Sequence, residues 1–132
     1  MKYERFEDLP VWQESIRFSV DIYEFTSQSN GLFANLGDLK SQIERASISI
    51  SNNIAEGFER GSNKELIQFL YIARGSCGEC RSITHILSGV PSFRAKRHQI
   101  SLLRDRAENI SRQLFGWIES LKNSQHRGEK FR

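Results

Sequence analysis

The sequence is short of the residues that interrupt a chain and of those that cross-link it. It has two prolines, two cysteines and one methionine in 132 residues. Proline stops helices and inner strands alike, so the long stretch between Pro10 and Pro91 has no hard breaker and favours long helices. Two cysteines cannot form the disulfide framework of a small secreted domain. Cys77 and Cys80 lie within a helical pattern, away from the helix N-terminus where a redox pair gains its reactivity, and read as small packing residues. No apolar run approaches the roughly 18 residues needed to span a membrane. Residues 1–9 are charged and do not resemble a secretory leader, so the expected location is the cytoplasm. β-branched residues are scattered, which argues against strands.

Catalytic patterns are missing too. There is no phosphate-binding glycine loop, no G-x-G-x-x-G and no G-x-S-x-G elbow. His85, His98 and His126 are dispersed, and the Glu-x-x-His pairs of metal-binding bundles do not occur. The sequence therefore predicts no enzyme, no metal and no cofactor.

What is present is an ordinary single-domain composition, 38% apolar and 27% charged, with a net charge of +3. The charge is uneven. Residues 1–60 hold six Lys/Arg against ten Asp/Glu, whereas residues 61–132 hold thirteen against six. A basic second half suits a polyanion partner, or head-to-tail association between subunits.

Helical periodicity accounts for most of the chain. After a lead-in at 1–8, helix one is expected over 9–27, capped by Asp8, with Leu9, Trp12, Ile16, Val20 and Tyr23 as its main stripe. Gly31 is the expected left-handed residue that closes it. Helix two is expected over 38–60, with Asp38 as N-cap and Leu39, Ile43, Ala46, Ile50, Ile54 and Phe58 along one face. Ser62 and Glu65 have capping-box spacing, so helix three should run over 63–88. Gly75 and Gly78 in its middle cost about 1 kcal/mol each against alanine, which suggests a close helix crossing or a kink. Helix four is expected over 94–122, followed by a flexible basic tail at 123–132. Short turns between four such helices predict an all-α fold, an antiparallel up-down-up-down four-helix bundle.

Two residue groups are candidates for function. Arg94, Lys96, Arg97 and His98 begin helix four, and Arg104, Arg106 and Arg112 follow along it. Cations at a helix N-terminus oppose its dipole, and a bound phosphate would relieve that conflict. One reading is a site for nucleic-acid backbone, RNA or DNA, whose contacts position without reading sequence; the other is a solvated face paired with the acidic first half. The second group is polar and lies within helices two and three: Asn52, Asn53, Glu56, Arg60, Arg74, Ser76 and Glu79. It reads as a structural or interface network that fixes helix register. Val11, Phe18, Phe25, Phe33, Phe93 and Phe115 lie off the main stripes and suggest uncovered apolar surface, hence a homo-oligomer.

Particular residues also carry a family resemblance. They are Phe6, Leu9, Val11-Trp12-Gln13 and Tyr23, then Gln42-Ile43-Glu44-Arg45-Ala46 and Ser49-Ile50. Asn53-Ile54-Ala55-Glu56-Gly57, Arg60, Ser62 through Glu65, Phe69-Leu70, Ala73-Arg74-Gly75-Ser76 and Glu79 follow. Over residues 5–121 the chain resembles the small bacterial four-helix-bundle proteins first noticed in intervening sequences of 23S ribosomal RNA genes. That family includes the accessory protein of diversity-generating retroelements. The resemblance implies a five-fold ring, a homopentamer, and for retroelement members a reverse transcriptase and nucleic acid as partners. It assigns Asn53, Glu56, Gly57, Arg60, Ser76 and Glu79 to packing and interfaces. The combined expectation is a non-enzymatic homo-oligomeric scaffold that contacts nucleic-acid backbone through a basic face. The alternative is a purely structural or protein-binding ring.

Overall fold

The computed structural model describes residues 3–126. Its four long helices are α1 (Pro10–Gln28), α2 (Leu39–Glu59), α3 (Asn63–Gly89) and α4 (Arg97–His126). Short 3-10 turns occupy Phe6–Asp8, Asn30–Phe33 and Pro91–Lys96. α2 packs on α3, α3 on α4, and α1 closes the ring against α2 and α4. This is an antiparallel four-helix bundle.

Local chemistry sets the helix ends. Pro10 begins α1, where its missing N–H costs nothing. Leu9, rather than Asp8, is the N-cap residue, and Asp8 lies in the preceding 3-10 turn. Asp38 is the N-cap residue of α2, yet its carboxylate accepts from the Gln42 side chain at 2.6 Å instead of capping the backbone. The Ser62 hydroxyl accepts from the Glu65 N–H at 3.2 Å. The Glu65 carboxylate in turn accepts a hydrogen bond from the Ser62 hydroxyl and pairs with Arg60. The left-handed residue between α1 and α2 is Gly37, with φ 61°, and not Gly31. α4 begins three residues later than expected, because Arg94 and Lys96 lie in the 3-10 turn. It also continues through 123–126, where a flexible tail was expected. The rest of that tail, residues 127–132, lies outside the described residues, as do residues 1 and 2 of the lead-in.

The core corrects the expected phase of α1. Phe18, Ile22 and Phe25 are fully buried and Val11 nearly so, whereas Val20 is 58% exposed and Tyr23 41%. The buried face of α1 includes Ser15, Ser19 and Thr26, which a count of apolar residues passes over. The Ser15 hydroxyl is satisfied by the Val11 carbonyl at 2.7 Å. The Thr26 hydroxyl donates to the Glu44 carboxylate of α2 at 2.6 Å. Small polar residues that find partners let two helices approach closely at little cost.

The loop phenylalanines are part of this core. Phe33 and Phe93 meet edge-on, 4.9 Å between centroids, and Phe25 lies beside Phe93 at 6.2 Å. Both turns fall at the same end of the bundle, so the two loops plug it together. Each buried ring is worth about 1.5–3 kcal/mol. Val11, Phe18, Phe25, Phe33 and Phe93 are therefore absorbed within one chain. Among the described residues the large exposed apolar side chains are instead Val20, Tyr23, Ile48, Tyr71, Ile72, Ile86, Leu102 and Phe115, with Tyr3 near the N-terminus.

The glycines of α3 are also reversed from expectation. A Cβ at Gly75 or Gly78 would meet nothing within 4 Å, so neither marks a close crossing. The close crossing is at Gly57 of α2, where a Cβ would lie 2.7 Å from Phe69 Cβ and 3.2 Å from Leu66 Cδ1.

Candidate nucleic-acid interface

The antiparallel order lays the start of α4 beside the end of α3. This changes the meaning of the basic cluster. Arg97 donates from Nε to the Ser88 carbonyl at 3.0 Å. Arg104 donates to the Thr84 hydroxyl at 3.1 Å, the Thr84 carbonyl at 3.2 Å and the Ser88 hydroxyl at 2.8 Å. The two guanidinium groups lie at the C-terminal end of α3, where orphan carbonyls and the negative end of the dipole favour cations. The unfavourable placement seen along one helix is thus a favourable one between two.

The remaining cluster residues diverge. Arg106 turns to α1, pairs with Asp21 at 2.6 Å and lies over the Phe18 ring at 5.7 Å. Arg112 is largely exposed and pairs with Glu108 on its own helix at 2.9 Å. Arg94 and His98 are exposed and Lys96 is half-buried. These seven residues do not form one compact site.

A denser basic site lies in the groove between α3 and α4. Arg74 and Arg81 of α3, seven residues apart and so on one face, line a depression of about 250 Å³ with Glu108, Ser111, Arg112 and Phe115 of α4. Three guanidinium groups there face a single carboxylate, and that carboxylate is paired to Arg112. The Nε atoms of Arg74 and Arg81 are shielded from solvent and have no hydrogen-bond partner among the described residues. The Arg74 guanidinium lies 4.8 Å from the Phe115 ring centroid. Further along, Lys122 Nζ donates to the Tyr71 hydroxyl at 3.4 Å, and this contact with Glu119 nearby raises the lysine's pKa. The Arg74–Arg81 pairing carried a legible signal, the i, i+7 spacing. Which α4 residues would face it was not legible.

The polar group at the α2–α3 seam is only partly a network. Asn53 donates to the Ser49 carbonyl at 2.7 Å and the Ser49 hydroxyl at 2.9 Å, and Ser76 of α3 donates to the same hydroxyl at 2.9 Å. Ser49, not singled out as a site residue, is the hub. Glu56 and Glu79 are exposed. Glu56 pairs with Arg60 at 2.8 Å, and Arg60 also lies over the Phe69 ring at 4.9 Å. The two glutamates form no buried pair.

Cys77 and Cys80 are free and fully buried. Burial pushes the Cys77 thiol up to about 12 despite Arg81 and Arg74 nearby. Burial also raises Cys80, helped by Cys77 and Glu79. Among the described residues no group of three or more His, Cys, Asp or Glu is placed to share a metal ion. Nor, among them, is any helix long and apolar enough to cross a membrane. An apolar hollow of about 280 Å³ lies at the bundle's other end, lined by Tyr3, Leu9, Pro10, Val11, Gln113 and Trp117. It holds none of the acid, base or nucleophile pairs that catalysis requires.

Fold and groove together define a small antiparallel helical bundle with a cationic inter-helix cleft. Residues 7–116 match the family described as 23S rRNA-intervening sequence protein, and the chain belongs to that family. No curated protein matches it.

Proposed function

We propose that this protein is a non-enzymatic, self-associating helical scaffold of the cytoplasm that holds nucleic-acid backbone along its α3–α4 face. The observation that carries this reading is the arginine trio at 74, 81 and 112 lining one groove with a single carboxylate, Glu108. Charge-assisted hydrogen bonds from guanidinium groups to phosphate oxygens are strong, and three such groups in one groove suit a polyanion backbone. Arg97 and Arg104 are engaged at the end of α3, so they add field rather than free donors.

Self-association is supported by a second apolar stripe on α1. Ile16, Val20 and Tyr23 recur at helical spacing off the buried face, with Ile16 half-buried and Val20 and Tyr23 exposed. A surface of this kind is what an oligomer interface covers. A five-fold ring, and a reverse transcriptase as partner, rest on the family resemblance alone.

The test is nucleic-acid binding across a salt series, for the parent chain and for Arg74→Met with Arg81→Met. Binding that weakens with salt and collapses in the double variant supports the reading. No binding at low salt would leave the structural or protein-binding ring as the better account, favoured by the intramolecular ties of Arg97, Arg104 and Arg106.

A further inference from the structure

We propose that the α3–α4 groove is shaped for a single strand of nucleic acid, with bases stacking on Phe115 and Tyr71 between the phosphate-binding cations. This deepens, and rests on, the reading of the groove as a backbone site.

The order of side chains along the groove is the first reason. From one end, Tyr71 meets Lys122, Arg74 meets Phe115, and Arg81 faces Ser111 and Arg112. Each of the two rings thus has a cation beside it, with Arg81 and Arg112 beyond, within about three helical turns, roughly 15 Å at 1.5 Å per residue. Strands without a partner are held in this way, by a cationic track and rings on which bases stack. A duplex presents phosphates and stacks its bases inward, so it could engage the arginines but would leave the rings idle.

The state of the rings is the second reason. Phe115 is 45% exposed and Tyr71 43%. Arg74 covers Phe115 from one side, fixing the ring while part of its surface stays open. A ring held by a guanidinium is a pre-ordered platform, since stacking then costs little side-chain entropy. Ser111, buried at the groove floor, adds a hydroxyl beside the cations.

The sequence tolerance expected is broad, because every base has a π-face. Three phosphate contacts, at Arg74, Arg81 and Arg112, give an expected slope of log K against log salt of about −2 for a single strand.

The experiment uses the full chain and end-labelled oligonucleotides of about 12 nucleotides: single-stranded RNA, single-stranded DNA and a DNA duplex of the same sequence. Fluorescence anisotropy is read at several salt concentrations for the parent, Phe115→Leu, Phe115→Tyr, Tyr71→Leu and Arg81→Met. The expected result is tighter binding of either single strand than of the duplex. Phe115→Leu should lose about fivefold or more in single-strand affinity at unchanged salt slope, and Phe115→Tyr should restore it. Arg81→Met should flatten the slope by about 0.7. Circular dichroism of each variant separates lost binding from lost fold, and the Phe115→Tyr arm holds if the leucine variant unfolds. Duplex binding equal to single-strand binding, with the ring variants silent and Arg81→Met still weakened, would overturn this inference and leave the backbone site standing. No binding to any oligonucleotide at low salt would overturn both.

Discussion

Gly57 and Phe69 are in such close contact that a single added carbon has no room between them: a Cβ on Gly57 would sit 2.7 Å from Phe69 Cβ. The obstacle is the root of the Phe69 side chain, which cannot swing away, so α3 itself would have to move. Overpacking of this kind costs about 1–3 kcal/mol, against a gain of up to about 1 kcal/mol in helix propensity. Gly57→Ala should therefore lower stability, seen as an earlier denaturant midpoint. Gly75→Ala and Gly78→Ala face open space and should each raise it by about 0.5–1 kcal/mol. The three measured side by side check the assignment of the close crossing.

Arg104 and Arg81 divide structural from binding roles. Arg104 makes three hydrogen bonds to Thr84 and Ser88. Hydrogen bonds to a charged group are worth about 1.5–3 kcal/mol when buried. Partial exposure here reduces the expected loss for Arg104→Met to about 1 kcal/mol. Arg81→Met should leave the melting temperature within a few degrees and lower nucleic-acid affinity instead. The reverse pattern would move the binding site toward the start of α4.

Glu44 gives stability a pH dependence. Burial acts to raise its carboxyl, but hydrogen bonds from Thr26 and Lys40, with the lysine charge, outweigh burial and hold it below its ordinary value. A carboxyl depressed in the folded state stabilises above its unfolded pKa, and that contribution is lost as pH falls through the folded pKa. Glu44→Gln should therefore be less stable than the parent near neutrality. The gap should narrow once the pH drops below about 4, as denaturant titrations at both pH values would show.

Cys77 and Cys80 should be inert while the bundle is intact. Only the thiolate attacks an alkylating agent, and burial holds Cys77 at about 12. Iodoacetamide at neutral pH should leave the native protein unmodified and label both sites in denaturant, read by mass spectrometry. Rapid native labelling would mean the α3 core opens far more readily than its packing implies.

Val20 tests self-association. It is 58% exposed in the single chain, so Val20→Lys should not disturb folding. If α1's outer stripe is an interface, the variant should run at a lower solution mass than the parent by light scattering, with equal helicity. An unchanged mass would place any interface elsewhere.

Much of the fold was legible because helix formation is local. Ser62 and Glu65 mark a helix start from four consecutive residues, and Ile43, Ala46, Ile50 and Ile54 return every three or four positions whatever surrounds them. α1 shows where that logic fails. It carries two apolar stripes at helical spacing, one through Trp12, Ile16, Val20 and Tyr23 and one through Val11, Phe18, Ile22 and Phe25. The bundle buries the second, together with Ser15, Ser19 and Thr26 on the same side, and no hydropathy count marks those polar residues as core.

The chain alone settled that long rods would form and where most of them would begin and end, since caps and side-chain periodicity act over a few residues. Only the assembled bundle decided which rods touch and at what height. That pairing put Arg97 and Arg104 at the end of α3, made Gly57 the tight crossing and brought Arg74 and Arg81 opposite Arg112. Contacts between residues tens of positions apart depend on helix pairing and axial register, and these are fixed by how whole surfaces fit rather than by any short stretch of sequence.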